Sequence, residues 1–178
     1  MAETAVVSID HRRAGEAAFA DLVAHELAGA YRTAALILGD PTEAEDATQD
    51  ALVRAWQGWD RLRDQERAGA WFGRILVNVC RDRLRARRTG GVRWLAIDLP
   101  AEVAADPGER EALWQALGDL SPEHRIVIIL RYYLDLPLEA IAERTSAPLG
   151  TVKSRLHHAL AAVRAAYEAR ERLTGATR

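Results

Sequence analysis

The sequence predicts an all-α protein made of two small helical domains joined by a flexible linker. Three observations carry that expectation. Alanine, leucine, arginine and glutamate dominate the chain, and these are strong helix formers. Apolar residues recur at helical spacing in one segment after another. The short run Ile126 to Leu130 is the one stretch with strand character, and it sits inside a longer helical pattern, so it reads as a buried helix face. Between Gly91 and Gly108 the periodicity lapses around Pro100, Pro107 and several acids, which is linker composition.

A first helix is expected over residues 14–38, stopped by Gly39-Asp40-Pro41. Thr42 is the expected cap of the next helix, and Glu43, Glu45 and Asp46 suit the positive end of its dipole. That helix runs to residue 59. Residues 60–69 are polar and read as a loop. A third helix covers 70–88 and breaks at Thr89-Gly90-Gly91. Four shorter helices follow, over residues 109–118, 122–134, 138–145 and 150–170. Ser121-Pro122-Glu123 supplies an N-cap and an N1 proline for the second of these. The expected organisation is a first domain over 14–90, a linker over 91–108 and a second domain over 109–172.

Composition limits the function classes. At 49% hydrophobic and 28% charged residues in 178, the chain suits a globular protein and not a disordered one. No apolar run approaches the ~20 residues of a membrane span, so membrane insertion is not expected. The start, MAETAVVSIDHRR, lacks a basic region followed by an apolar one, so the expected compartment is cytoplasmic. A single cysteine, Cys80, excludes an internal disulfide and a multi-cysteine zinc site. The net charge of −2 says little, but its distribution is uneven. Residues 40–50 hold five acids and no base, residues 74–93 hold seven arginines against Asp82, and residues 98–111 are acidic again. From Arg144 onward bases exceed acids. The alternation fits surfaces for differently charged partners, or simply solvated faces.

Two helices stand out. On the third, Trp71, Phe72, Ile75, Leu76, Val79 and Cys80 share about half the circumference at about 100° per residue, which makes a core stripe. Arg74, Asn78, Arg81, Arg85 and Arg88 gather in an arc of roughly 80° on the other side. Arginines neutralise phosphates and asparagine can pair with a base edge, so the row suits DNA. The alternative is a solvated face, weakened because like charges one and two turns apart repel unless an anion compensates them. Near the C-terminus, LEAIAERT, then SAPL, then GTVKSRLHHALAAVR has the layout of a helix-turn-helix or of an ordinary αα-hairpin. Val152, Leu156, Ala159, Leu160 and Val163 form its apolar stripe; Ser154, His157 and His158 point away, flanked by Lys153, the only lysine, and Arg155.

The histidine pair does not read as a metal or catalytic site. Adjacent helical residues diverge by about 100°, no acid stands four residues away, and no nucleophile is at hand. Solvent exposure and DNA contact remain open for both. The acidic stretch EAEDATQD places Asp46, Gln49 and Asp50 on one exposed face, which is better suited to a basic protein partner than to a buried cation.

Taken together, GDPTEAEDATQDALVRAW, the basic helix AWFGRILVNVCRDRLRARR, the acidic linker and LSPEHRIVIILRYYLDLPLEAIAERTSAPLGTVKSRLHHAL resemble the extracytoplasmic-function (ECF) class of bacterial sigma factors, from Phe19 to Arg164. The resemblance implies a non-enzymatic initiation subunit of RNA polymerase, with region 2 in the first domain, region 4 in the second, and no cofactor. It implies that the acidic DxxQ[DE] helix docks on the clamp of the largest polymerase subunit through Asp46, Gln49 and Asp50. It assigns the −10 element to Arg61, Leu62, Arg63, Arg74, Asn78, Arg81 and Arg85. It assigns the −35 element to Thr151, Lys153, Ser154, Arg155, His157 and His158, with Arg131 on the backbone. The implied partners are core polymerase, through its clamp and flap, promoter DNA, and an anti-sigma factor.

Two positions depart from the family pattern. His158 stands where an arginine is typical and is largely neutral near pH 7. Ser146 stands where the turn commonly has glycine, at a cost in strain. Two weak DNA contacts joined through polymerase would reinforce each other by effective concentration, and capture of an unstacked base would drive melting. Trp56, Trp59 and Trp71 are candidates to stack on such bases, although Trp56 and Trp71 are expected in the core. Two other classes compete. A free-standing helix-turn-helix regulator binding operators as a dimer leaves the acidic helix and the arginine row without a role. A carboxylate-based metal enzyme lacks histidines at ligand spacing.

Overall fold

A computed structural model describes residues 2–86 and 107–175. Its helices are α1 (Ala2–Leu38), α2 (Pro41–Gly58), α3 (Ala68–Ala86), α4 (Pro107–Asp119), α5 (Pro122–Tyr132), α6 (Leu138–Thr145) and α7 (Leu149–Gly175). Short 3₁₀ turns at Trp59–Arg61 and Gln65–Arg67 fill the expected loop. No strand occurs among the described residues. Most of the expected linker, and Arg88 with the break at residues 89–91, lie outside the described residues.

Helices α1, α2 and α3 pack on one another as the first unit, and α4 to α7 form the second. The α1–α2 contact is an alanine seam: Ala30, Ala34 and Ala35 of α1 and Ala44, Ala47, Ala51 and Ala55 of α2 are buried. Small side chains let the two backbones approach closely. Thr33 and Thr48, also buried, donate their hydroxyls to the carbonyls of Gly29 and Ala44 at 2.7 Å, so neither leaves a polar group unpaired. Phe72, Leu76, Val79 and Cys80 of α3 complete the core, as the stripe predicts. In the second unit Ile126 to Leu130 are all buried, which bears out the helical reading of that run.

Helix boundaries follow local chemistry. Gly39 takes φ 67°, a left-handed conformation open to glycine, and its N–H bonds the Ala35 carbonyl at 2.7 Å. The cap of α2 is then Asp40, not the expected Thr42: its Oδ1 accepts from the N–H groups of Thr42 (2.9 Å) and Glu43 (3.1 Å). Pro41 explains the shift, since its fixed φ and missing N–H suit the N1 position and put the cap one residue earlier. Ser121 caps α5 as expected, its Oγ accepting from the His124 N–H at 3.3 Å.

Two tryptophans exchange their expected places. Trp59, not Trp56, is in the core: it is 7% exposed, against 50% for Trp56. The Trp59 indole N–H donates to the Gly15 carbonyl at 3.0 Å, and its ring packs against Phe19 and Trp71. The 3₁₀ turn that begins at Trp59 rotates its side chain inward off the α2 period.

The two units share one continuous apolar cluster. Helix α3 lies against α5 and α6, and the end of α1 lies against α5. Val77, Gly73 and Leu84, outside the predicted stripe, are therefore buried as well.

Ser146 ends α6 at φ 53° and ψ 40°, the left-handed region, with its N–H and that of Ala147 closing onto the Ala142 and Glu143 carbonyls. A β-carbon there costs about 1–2 kcal/mol. Replacing Ser146→Gly should therefore raise the unfolding free energy by about 1 kcal/mol, read from urea melts by circular dichroism; no gain would show that the serine is unstrained.

Candidate nucleic-acid interface

The acidic face of α2 is exposed at Asp46, Gln49 and Asp50. It is held by a residue the sequence reading passed over. Arg83 of α3 reaches Asp50 Oδ2 at 2.6 Å and Glu43 Oε2 at 3.1 Å, with Asp46 at 3.9 Å. Partial burial works against the charge on Arg83, but hydrogen bonds and charges from Asp50 and Glu43 outweigh it and hold the pKa above the ordinary guanidinium value. The signal was present in the sequence. At about 100° per residue Arg83 falls between Phe72 and Leu76 on the apolar side of α3, and a cation there needs a carboxylate partner. Val53, exposed, lies in the middle of the same α2 face, and exposed Trp56 lies at its edge.

The basic row on α3 divides. Arg74 and Arg85 are exposed, while Asn78 and Arg81 are half-buried beneath the second unit. Arg81 Nη2 donates to Asn78 Oδ1 at 2.5 Å, and its Nη1 donates to the Thr145 carbonyl of α6 at 3.2 Å. Arg85 pairs with Glu123 of α5, its Nε at 3.1 Å from Oε1. Arg67, in the turn before α3, pairs with Glu143 of α6. Arg61 and Arg63 are exposed and Leu62 is half-buried; Leu62, Arg63, Arg67, Trp71, Arg74 and Glu143 surround a cleft of about 260 Å³.

The second unit presents α7 as the outer helix of a helix-turn-helix. Val152 and Ala159 are fully buried toward α5 and α6. Lys153, Ser154, His157 and His158 are exposed on the opposite side, and Thr151 and Arg155 are half-buried at its edges. The His157 and His158 rings lie 5.6 Å apart, and His124 of α5 stands 6.2 Å from His158. Among the described residues no three His, Cys, Asp or Glu side chains form a group able to hold a metal ion. Arg131 folds back into its own turn, with Nη1 donating to the Leu136 carbonyl at 3.0 Å and Asp135 Oδ1 at 3.3 Å. Leu160 departs from its expected buried stripe. With Leu113, Trp114, Leu117, Ile129 and Tyr132 it lines an apolar groove of about 320 Å³.

Comparison with known proteins places this geometry in a family. The profile for sigma-70 region 2 matches residues 22–89, and that for sigma-70 region 4 matches residues 110–163. Over 145 residues the chain is 34% identical to the RNA polymerase sigma-E factor of Streptomyces avermitilis, covering 79% of each. It is 36% identical over 141 residues to the ECF RNA polymerase sigma factor SigL of Mycobacterium tuberculosis, covering 75% of this chain and 80% of that one. The chain belongs to the ECF class of the sigma-70 family. Sigma factors are transcription initiation factors, and α1–α3 and α4–α7 are accordingly its region 2 and region 4 units. The structure of CnrH in complex with the cytosolic domain of CnrY matches this sigma factor with a TM-score of 0.62 and 25% identity, over 85% of this chain and 88% of that one. The sigma factor RpoE of Bartonella quintana, solved in complex with the anti-sigma factor NepR, shares the fold with a TM-score of 0.58 over 89% of this chain and 97% of that one.

The pair that joins the two units through Arg85 is pH-sensitive. Burial alone would raise the Glu123 pKa, but the hydrogen bond and charge of Arg85, with a backbone hydrogen bond and the charge of Arg155, bring it below the ordinary value. A folded-state pKa below the unfolded one adds stability at neutral pH that is lost as pH falls through the lowered value. Below the ordinary glutamate range of about 4.3, the wild type should lose stability more steeply than Glu123→Gln, read from urea midpoints across an acid series. Parallel curves would show that the pair contributes nothing.

Proposed function

We propose that this sigma factor binds core RNA polymerase in the cytoplasm and directs it to promoters by reading −10 and −35 elements, under control of an anti-sigma factor, without enzymatic activity of its own. The observation that carries the proposal is the coexistence on one chain of three separate surfaces: an acidic face on α2, an arginine–asparagine face on α3, and an exposed recognition face on α7. A free-standing operator-binding regulator uses only the last.

Each surface fits its assigned task chemically. Asp46, Gln49 and Asp50, fastened by Arg83, offer a preorganised acidic face to a basic clamp. Arg61, Leu62, Arg63 and Arg74 surround or border a cleft with Trp71, which supplies cations for phosphates and apolar surface for an unstacked base. Asn78, Arg81 and Arg85 continue that surface along α3. On α7, Lys153, Ser154, His157 and His158 face outward at the N-terminal half of the helix, where a recognition helix meets base edges, with Thr151 and Arg155 beside them. Arg131 can meet the DNA backbone only by leaving the Leu136 carbonyl and Asp135. The apolar groove beside Tyr132 and Leu160 suits an apolar helix of a partner, such as the polymerase flap. The two solved relatives in complex with CnrY and NepR support an anti-sigma partner. No described helix is long and apolar enough to cross a membrane.

A pull-down with core polymerase tests the first surface. Asp46→Ala/Gln49→Ala should lose core binding while keeping wild-type helical content; retained binding would remove α2 from the polymerase interface. In vitro transcription with the reconstituted holoenzyme tests the third. Lys153→Ala and Ser154→Ala should each lower transcription from promoters that depend on the −35 element, each base-edge contact being worth about 1–3 kcal/mol. Wild-type output from both variants would overturn the assignment of α7.

A further inference from the structure

We propose that, in the chain free of polymerase and DNA, the α5–α6 edge of the second unit is an internal stand-in for the −10 strand: it covers the arginine face of α3 and must move off before that face can take DNA. The proposal rests on the assignment of that face to the −10 element.

Three arginines of the first unit each meet an oxygen of the second. Arg67 pairs with the Glu143 carboxylate, Arg81 donates to the Thr145 carbonyl, and Arg85 pairs with the Glu123 carboxylate. Anionic or carbonyl oxygens set along a basic helix are the chemistry that a phosphate backbone would otherwise offer. Asn78 is engaged too, its Oδ1 accepting from Arg81. The approach is close: a β-carbon on Gly73 would come within 2.8 Å of an Arg144 guanidinium nitrogen, so region 4 lies directly on the α3 backbone. Burial lowers the Arg144 pKa, against the opposing charges of Glu26 and Glu143. Behind this contact, buried Arg125 of α5 donates to the Ile37 carbonyl of α1 at 3.2 Å and to the Gly118 carbonyl at 2.6 Å, which fastens the two units at a second point.

The cover is selective. Asp46, Gln49 and Asp50 on α2 remain exposed, as do Lys153, Ser154, His157 and His158 on α7. The closed chain therefore offers its polymerase and −35 faces while withholding the −10 face. It is also held lightly. The Arg67–Glu143 and Arg85–Glu123 pairs are largely open to solvent on the arginine side, where ion pairs are weak. Arg81 Nε is buried with no hydrogen-bond partner, a cost that opening relieves. Apparent affinity for the −10 strand then equals the intrinsic affinity multiplied by the open fraction, and any partner that separates the units raises it.

A reversible lock tests this. Arg67→Cys/Glu143→Cys places two thiols at exposed, facing positions. The native Cys80 does not compete, because it is buried and its pKa is pushed up to about 12 by that burial, against smaller opposing effects from Arg83 and a backbone hydrogen bond. The full-length variant is treated with a cleavable bis-thiol reagent without polymerase or DNA. Binding is read by anisotropy with a labelled single-stranded oligonucleotide spanning the −10 region, and a labelled duplex spanning the −35 region, of one promoter that the holoenzyme transcribes. The expected result is ready cross-linking, a loss of single-strand affinity of about tenfold or more in the locked form, retained duplex binding, and full recovery on cleavage. The second variant, Glu123→Gln/Glu143→Gln, leaves region 2 untouched and should bind the single strand several-fold more tightly than wild type. Failure to cross-link in the folded chain, or equal single-strand binding by locked and cleaved forms, would overturn the proposal. If the cleaved form binds no −10 strand even with core polymerase, the −10 assignment fails instead, and the cross-link yield still decides whether the units close.

Discussion

Helix α3 is packed on two sides, and that double burial sets the form of the whole molecule. One side carries Phe72, Leu76, Val79 and Cys80 into the core with α1 and α2; the other carries Gly73, Val77 and Leu84 against α5 and α6. A helix with a single apolar stripe could be served by its own domain. The second contact turns two small helical units into one apolar cluster, because each unit alone would leave part of that surface in water. Truncating a fully buried ring such as Phe72 typically costs about 3–5 kcal/mol, a large share of the stability of a small domain.

The electrostatics follow from the same packing. A row of arginines along one helix is unfavourable unless something anionic answers it. Here the answer comes from within: Glu143, the Thr145 carbonyl and Glu123 meet Arg67, Arg81 and Arg85. On the opposite side Arg83 collects the acids of α2. Both charged faces of the first unit are thus balanced inside the chain, one by its own helix and one by its neighbour. The difference has a functional meaning, because the α2 face stays open to solvent and the α3 face does not.

Several local expectations failed for identifiable reasons. The α2 cap moved from Thr42 to Asp40 because Pro41 fits N1 and lacks the N–H that a cap would serve. Trp59 went to the core in place of Trp56 because a 3₁₀ turn begins at that residue, and the helical period used to place the side chains does not extend past Gly58. Leu160 left the predicted stripe because α4 and α5 stop short of covering it, so it lines an open groove. Arg131 was drawn into its own turn by the Leu136 carbonyl and Asp135.

The sequence by itself determined the helices, the helix-turn-helix layout, the acidic face of α2 and the outward face of α7, because each depends on the residues within one helix and its caps. Its motifs also carried the resemblance to ECF sigma factors. The left-handed turn at Ser146 was legible as a departure from glycine, since the backbone there needs φ above zero whatever packs nearby. Arg83 was legible in principle, as a cation on an apolar face. Tertiary structure alone decided which carboxylates would answer it, that Asn78 and Arg81 would be half-covered, and that Glu123 and Glu143 would matter at all. Those contacts join residues 38, 64 and 76 positions apart. No periodicity or capping rule reaches across such a separation; only the apolar surface shared by the two units brings them together.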